Sequence, residues 1–368
     1  MAYQLGIPHG AFHTVTAPEH CAWPNLTLLP NGEIAAVIFN QPSHGAMEGD
    51  VELWVSEDEG YTWGMRSRIT DHEPGTNRMN VAAGLNQKGE LLVLCFGYDL
   101  ATDFGGAQHS HASWLAPQIC ISSDNGHTWD IAGEMPAPAG LDKCVPFGDI
   151  VINGDELAAS VYTRDPTRER RKKYPSSAWL MRSSDGGRTW GDASLVAAHR
   201  FGEGAPLITR QGTWLAALRL KQFPADYEPE DVMNRERFVS GPNVLLFASD
   251  DAGRTWEPRQ YLSLPQQHPA HLLQLADDRI LVTYGNRICE AYGVVGRVSA
   301  DGAQSWSRPF TLVGGLMDYD CGYPASVQVS NGDIVTAYYS KCSPWYQRYH
   351  MGVLRWNLDM VDTRALGA

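Results

Sequence analysis

Ser56-Glu57-Asp58-Glu59-Gly60-Tyr61-Thr62-Trp63 is the stretch that decides the fold. Its pattern, Ser-x-Asp-x-Gly-x-Thr-Trp, returns at Ser122 to Trp129, Ser183 to Trp190 and Ser249 to Trp256. A decayed copy runs from Ser299 to Trp306, with Ala303 for Gly and Ser305 for Thr. The steps between first residues are 66, 61, 66 and 50. Each octad reads as a hairpin turn: the Asp side chain caps local backbone N–H groups, Gly takes a positive φ, and Trp packs between sheets. The octads are structural; they carry no chemistry.

A second repeat lies between the octads. An alternating apolar strand enters a tight turn and a second strand leaves it. The turns are Asn31-Gly32, Lys88-Gly89, Asn153-Gly154, Gln211-Gly212, Asp277-Asp278 and Asn331-Gly332. Six such units against five octads predict a six-bladed β-propeller filling residues 1–368 as one domain. The sixth unit has no octad. Its outer strands are expected from Tyr349 to Trp356 and from a segment near the N-terminus such as Ala11 to Thr16, which closes the ring and protects its edges.

Composition agrees. The chain has 368 residues, 43% of them apolar, enough to bury a core. A formal charge of −13 argues against a nucleic-acid partner. The basic run from Arg168 to Lys173 reads as a solvated loop. Seven cysteines without a CxxC pair suggest neither a disulfide framework nor a zinc knuckle. His109-Ser110-His111 lacks the further ligands a zinc needs, so no metal or cofactor is expected. No apolar run approaches the ~18 residues that span a membrane, and the N-terminus shows no signal-peptide pattern. A cytoplasmic protein is expected, or a secreted one if a signal was trimmed. Oligomeric state is left open.

Propeller topology sorts the side chains. Octads and Gly turns fall on one face. The starts of innermost strands and the loops joining second to third strands fall on the other. That second face collects Asp71, Arg78, Glu203, His268, Asp320 and Tyr323 from strand starts, and His44, Asp103, Arg219 and Arg287 from loops. A site is expected there.

The octad is the Asp-box, and the chain resembles the sialidase superfamily of propellers. Sialidases hold a carboxylate with three arginines and use a tyrosine nucleophile, a glutamate that activates it and an aspartate as acid/base. By that resemblance, Tyr323 in Gly322-Tyr323-Pro324-Ala325-Ser326 is the nucleophile. Glu203, nine residues before Gly212, is its partner, and Arg219 is the second arginine. Ala22 occupies the first arginine position, beside Trp23, a candidate sugar contact. The third arginine position falls near Ala291, with Arg287 the nearest candidate. Because a carboxylate clamp works by bidentate pairing, losing one arginine changes substrate choice. The surroundings of Asp320-Cys321-Gly322-Tyr323-Pro324 and Tyr284-Gly285-Asn286-Arg287 are also similar to sialidase-like propellers that act on rhamnose–glucuronate linkages.

The expectation is therefore an exo-acting glycan hydrolase for a terminal, acidic sugar. Tyr323, Glu203, His44 and Asp71 are the catalytic candidates. Arg219, Arg287, Arg78, His268, Asp320 and Trp23 are the substrate-binding candidates. Asp71, Asp103 or His44 would protonate the leaving oxygen. Two alternatives stand beside it. One is a uronate lyase with His44, His72, His268 or Tyr323 as base. The other is a carbohydrate-binding propeller without catalysis, favoured by Ala22.

Overall fold

The computed structural model describes residues 6–101, 113–164, 176–198, 200–221 and 242–361. Asp103, His109, His111 and the Arg168 to Lys173 run lie outside the described residues. The described residues are almost wholly β-strands and turns, with a 3-10 turn at Leu358–Met360. Four sheets have four strands each. One joins β2 (Asn25–Leu28), β3 (Ile34–Phe39), β4 (Val51–Ser56) and β5 (Gly64–Arg68). A second joins β14 (Phe201–Ile208), β15 (Trp214–Leu220), β16 (Asn243–Ser249) and β17 (Glu257–Tyr261). A third joins β18 (Gln267–Gln274), β19 (Ile280–Asn286), β20 (Gly293–Ser299) and β21 (Phe310–Gly314). The fourth joins β22 (Cys321–Gln328), β23 (Ile334–Ser340), β24 (His350–Trp356) and β1 (Phe12–Pro18). Thus the N-terminal strand pairs antiparallel with the last one, as the edge argument requires.

The fifth sheet has eight strands where two separate units were expected. It runs β6 (Met79–Leu85), β7 (Leu91–Tyr98), β8 (Trp114–Ser122), β9 (Asp130–Glu134) and, on the other side of β6, β10 (Cys144–Asn153), β11 (Glu156–Arg164), β12 (Ser176–Ser183) and β13 (Gly191–Ala197). The two halves meet in a short parallel pairing, Gly148 with Ala82 and Asp149 with Ala83. Backbones can approach there because Gly84 has no side chain: a Cβ on it would lie 2.6 Å from the Ile150 carbonyl oxygen.

Burial is graded across each sheet. Every residue of β3 and β7 is buried, whereas β5, β9 and β17 have mostly exposed or half-exposed residues. The strands β2, β6, β10, β14, β18 and β22 each pack against the next, and β22 packs back on β2. The apolar core lies between neighbouring sheets: Val37 and Leu53 of one meet Val81 and Val93 of the next. The result is a propeller-like arrangement of sheets about a shared axis.

The octads work as read. In the first, Thr62 donates its backbone N–H to Asp58 Oδ1 at 2.8 Å and its hydroxyl to Oδ2 at 2.6 Å, while Gly60 N–H reaches Ser56 Oγ at 2.7 Å. Each turn also touches the preceding sheet. A Cβ on Gly126 would lie 2.0 Å from Leu53 Cδ2, and one on Gly60 would lie 2.9 Å from Val335 Cγ2. Gly126 has φ +84°, and so has a like conformation to Gly212 at +86°, which faces open space. Gly212→Ala should therefore cost only the left-handed backbone term, about 1–2 kcal/mol. Gly126→Ala adds an overpacking term of roughly 1–3 kcal/mol. Urea unfolding of the pair checks this, and equal midpoints would contradict the inter-sheet role of the octad.

Candidate active site

The innermost strands are bulged at corresponding places. Their pairing with the next strand shifts register between Met79 and Val81, Phe147 and Ile150, Phe201 and Gly204, Gln267 and Ala270, and Gly322 and Ala325. A bulge leaves a residue unpaired and re-aims its side chain. The residues so released include Asn80, Glu203, His268 and Tyr323. Trp23, Asn80, Glu203 and Tyr323 each stand nine residues before a turn glycine: Gly32, Gly89, Gly212 and Gly332. Three of these four hold a positive φ, +40° at Trp23, +40° at Asn80 and +49° at Tyr323. Bulky residues rarely adopt it, and such strain concentrates at functional sites.

Tyr323, Glu203 and Arg219 meet. The Tyr323 hydroxyl donates to Glu203 Oε1 at 3.0 Å. Arg219 Nη1 donates to the same oxygen at 2.9 Å and lies 3.4 Å from the phenol oxygen. Lys221 Nζ is 3.9 Å from Glu203 Oε2 and 4.0 Å from the centre of the Tyr162 ring. Burial raises the Glu203 pKa, but Arg219, then Lys221 and the hydrogen bonds, outweigh it and bring the carboxyl down to about 2. Burial and the Glu203 charge push the Tyr323 phenol well above its usual value, against the pull of Arg219 and Arg287. The resting pair is phenol and carboxylate, with the proton on Tyr323.

Around them the walls are aromatic and cationic. Trp23, Phe147 and Tyr339 approach the Tyr323 ring, with centroids 6.5, 5.7 and 5.7 Å away. Arg287 lies over that ring, its Cζ 5.4 Å from the centroid. Its Nε and Nη2 donate to the Cys321 carbonyl at 3.0 and 2.8 Å, and Nη2 reaches the Tyr339 hydroxyl at 3.1 Å. Arg287 is therefore anchored to the strand that carries Tyr323. His268 is buried, and burial together with Arg219, Arg287 and Lys221 holds it far below its usual pKa, so the ring is neutral.

A second cluster adjoins the first. His44, from the loop after β3, packs edge-on against Trp23 with ring centroids 4.8 Å apart. Its Nδ1 lies 3.1 and 3.2 Å from the two oxygens of Asp320. The hydroxyls of Tyr339 and Tyr349 donate to the same carboxylate. The His44 nitrogen, Cys21 Sγ and an Asp320 oxygen lie within 4.8 Å of one another, donor types suited to a transition metal. Both Asp320 oxygens already accept from tyrosines, so the cluster reads as a hydrogen-bond network.

Two sequence-derived candidates are not brought to this site. Asp71 follows an outermost strand; its side chain is 87% exposed and pairs with Arg68 at 3.3 Å. Arg78 is buried in its own sheet, with Nη1 donating to the Ala116 carbonyl at 2.8 Å. Arg78 therefore does not join Arg219 and Arg287, and Lys221 is the further cation beside Glu203. Lys221 follows Arg219 by two residues and was not among the sequence-derived candidates. Gly202 makes room for it, since a Cβ there would lie 2.0 Å from Lys221 Cε. Nothing local marked Tyr339 or Tyr349.

This sheet order defines a propeller-like, all-β fold. A protein of unknown function from Dyadobacter fermentans superposes with a TM-score of 0.72 at 21% identity, covering 95% of this chain and 100% of that one. Trypanosoma rangeli sialidase gives 0.66 at 14% identity, over 98% of this chain and 58% of the sialidase. An α-L-arabinanase from Penicillium chrysogenum, solved with arabinobiose, gives 0.59 at 17% identity, over 96% and 98%. The chain belongs to the BNR repeat-like domain family, which it matches over residues 32–336. No curated protein matches the sequence.

Proposed function

We propose that this chain is an exo-acting, glycan-degrading enzyme of the glycoside hydrolase type, acting on a terminal acidic sugar. Counting the eight-stranded sheet as two halves, we read the fold as a six-bladed propeller with the site on its axis. The observation that carries the proposal is the Tyr323–Glu203–Arg219 contact, made by residues 104 and 120 positions apart in sequence.

The chemistry follows from the pair. A phenol is a weak nucleophile while it keeps its proton. As its oxygen bonds the anomeric carbon of an oxocarbenium-like transition state, the O–H becomes strongly acidic, and Glu203 at 3.0 Å takes the proton. Arg219 and Lys221 favour an anionic sugar in the same space. His44, half-exposed at the mouth, supplies the proton for the leaving oxygen. An enzyme that acts on sugars among structural relatives, the arabinanase above, supports the reaction class as an analogy of fold.

The neutral His268 beside three cations supports a second reading, β-elimination from a uronate. There Arg219 would neutralise the carboxylate and a neutral imidazole would take the α-proton. One screen separates the readings. Aryl glycosides and acidic oligosaccharides are offered to the wild type, and both reducing sugar and the ultraviolet absorbance of an unsaturated uronate are followed. Reducing sugar without absorbance is expected. Rising absorbance moves the assignment to a lyase, and saturable binding without product leaves a binding protein. Arg219→Ala should raise KM for acidic over neutral substrates by about 10–100-fold, the loss of one charge-assisted pairing.

A further inference from the structure

We propose that Asp320 is a positioning residue: it fixes the tautomer and orientation of His44, and so makes Nε2 of that ring the proton-handling atom of the site. This rests on the hydrolase reading above and corrects the sequence-based assignment of Asp320 as a substrate contact.

Asp320 stands immediately before β22, and only 6% of it is exposed. Its backbone N–H donates to Asp318 Oδ1 at 2.8 Å, which sets the loop. An ionised carboxylate offers about four lone-pair positions. The Tyr339 hydroxyl fills one on Oδ1, the Tyr349 hydroxyl one on Oδ2, and His44 Nδ1 spans the two oxygens at 3.1 and 3.2 Å. Little of the group is left for a sugar hydroxyl. The two phenols come from β23 and from the approach to β24, so the carboxylate is clamped from outside its own loop.

The charges nearby agree. Burial raises the Asp320 pKa, and the hydrogen bonds from His44, Tyr339 and Tyr349 lower it by more, so the group is ionised. Arg287 reaches the far side of Tyr339 at 3.1 Å. Lys341 pairs with Asp318 at 3.5 Å. Burial raises the Cys21 thiol well above its usual value, which leaves it neutral. Beside an ionised carboxylate, which only accepts, the facing ring nitrogen must carry hydrogen. In the neutral ring that is the Nδ1–H tautomer, with the lone pair on Nε2.

The proton balance is then complete. The imidazolium Nε2–H gives its proton to the glycosidic oxygen as that bond to the anomeric carbon breaks and the Tyr323 oxygen bonds the carbon. The Nε2 lone pair later takes a proton from the water whose oxygen bonds the anomeric carbon as the tyrosyl–sugar bond breaks, and Glu203 returns its proton to the departing Tyr323 oxygen at 3.0 Å. Both His44 and Tyr323 flank Trp23, whose ring lies 4.8 Å from one and 6.5 Å from the other.

The test uses 15N-histidine-labelled full-length protein and steady-state kinetics. Wild type should show His44 as the Nδ1–H tautomer. Asp320→Asn should lose that single tautomer and lower kcat on the order of 10–100-fold, with KM within about threefold, as for other groups that orient an imidazole. Tyr349→Phe keeps the carboxylate and removes one clamp; it should retain the tautomer and lower kcat roughly fivefold. It also decides the matter if the Asn variant misfolds, because an unchanged kcat there would overturn the clamp. A rise in KM in Asp320→Asn with the His44 signals unmoved would make Asp320 a substrate contact. An Nε2–H tautomer in wild type would overturn the proposal directly. If no glycan is turned over, the hydrolase reading falls, and the nitrogen signals still decide the role of Asp320.

Discussion

Tyr323→Phe is expected to lower kcat on the order of 10³-fold or more while leaving the protein folded. The change removes one oxygen. The ring keeps its contacts with Trp23, Phe147 and Tyr339, and Arg287 keeps its place over the face. What goes is the atom that would bond the sugar, together with the hydrogen bond to Glu203. Losing that bond costs about 1 kcal/mol, because Glu203 Oε1 still accepts from Arg219. Thermal unfolding should thus move little. The measurement is single-turnover and steady-state rate on the best substrate of the screen, beside a melting curve. Turnover within tenfold of wild type in a folded variant would remove Tyr323 from the covalent role and leave it as packing. The positive φ at Tyr323 is kept in the variant, so backbone strain does not confuse the comparison.

Much of this arrangement could be read from the chain before any coordinates. The octads gave the turns because their hydrogen bonds are local: Asp58 reaches no further than Thr62. Glu203 and Tyr323 were legible because each stands at a fixed distance from a turn glycine, and a bulged strand of constant length delivers both to the same depth. Asp71 shows where that reasoning stops. Strand order tells which face a loop occupies, and says nothing of its distance from the axis. Asp71 follows β5, an outermost strand, and so lies at the rim in contact with Arg68. The eight-stranded sheet was hidden for a related reason. Its joint depends on two backbones meeting where Gly148 pairs with Ala82 and Gly84 lies against Ile150, which no periodicity records. The clamp on Asp320 draws on β23 and the segment before β24, and its members share no spacing with Asp320 that a single sequence would expose.

Glu203→Gln should have the second large effect, and it should strike stability and activity together. The carboxylate is buried and faces two cations, Arg219 at 2.9 Å and Lys221 at 3.9 Å. The amide keeps the shape and loses the charge, so Arg219, 2.9 Å away, faces a neutral group in place of the carboxylate in a poorly hydrated space. Breaking a buried pair from one side costs on the order of 3 kcal/mol. The titration leads to the same size. The Glu203 carboxyl titrates near 2 in the folded protein, against about 4.3 in an unfolded chain. A depressed folded value stabilises above the unfolded one, and the benefit is lost as pH falls through the folded one. Wild type should therefore lose this contribution as pH drops from about 4 toward 2, and Glu203→Gln should lack it at every pH. Urea midpoints at pH 7 and at pH 3 measure the difference: a gap at pH 7 that narrows at pH 3 is expected. Activity per folded molecule should fall on the order of 10²–10³-fold, since Gln cannot take the phenolic proton when the Tyr323 oxygen bonds carbon. A variant as stable as wild type at pH 7 would mean that Arg219 and Lys221 are held by other groups, and the electrostatic basis of the site would have to be sought elsewhere.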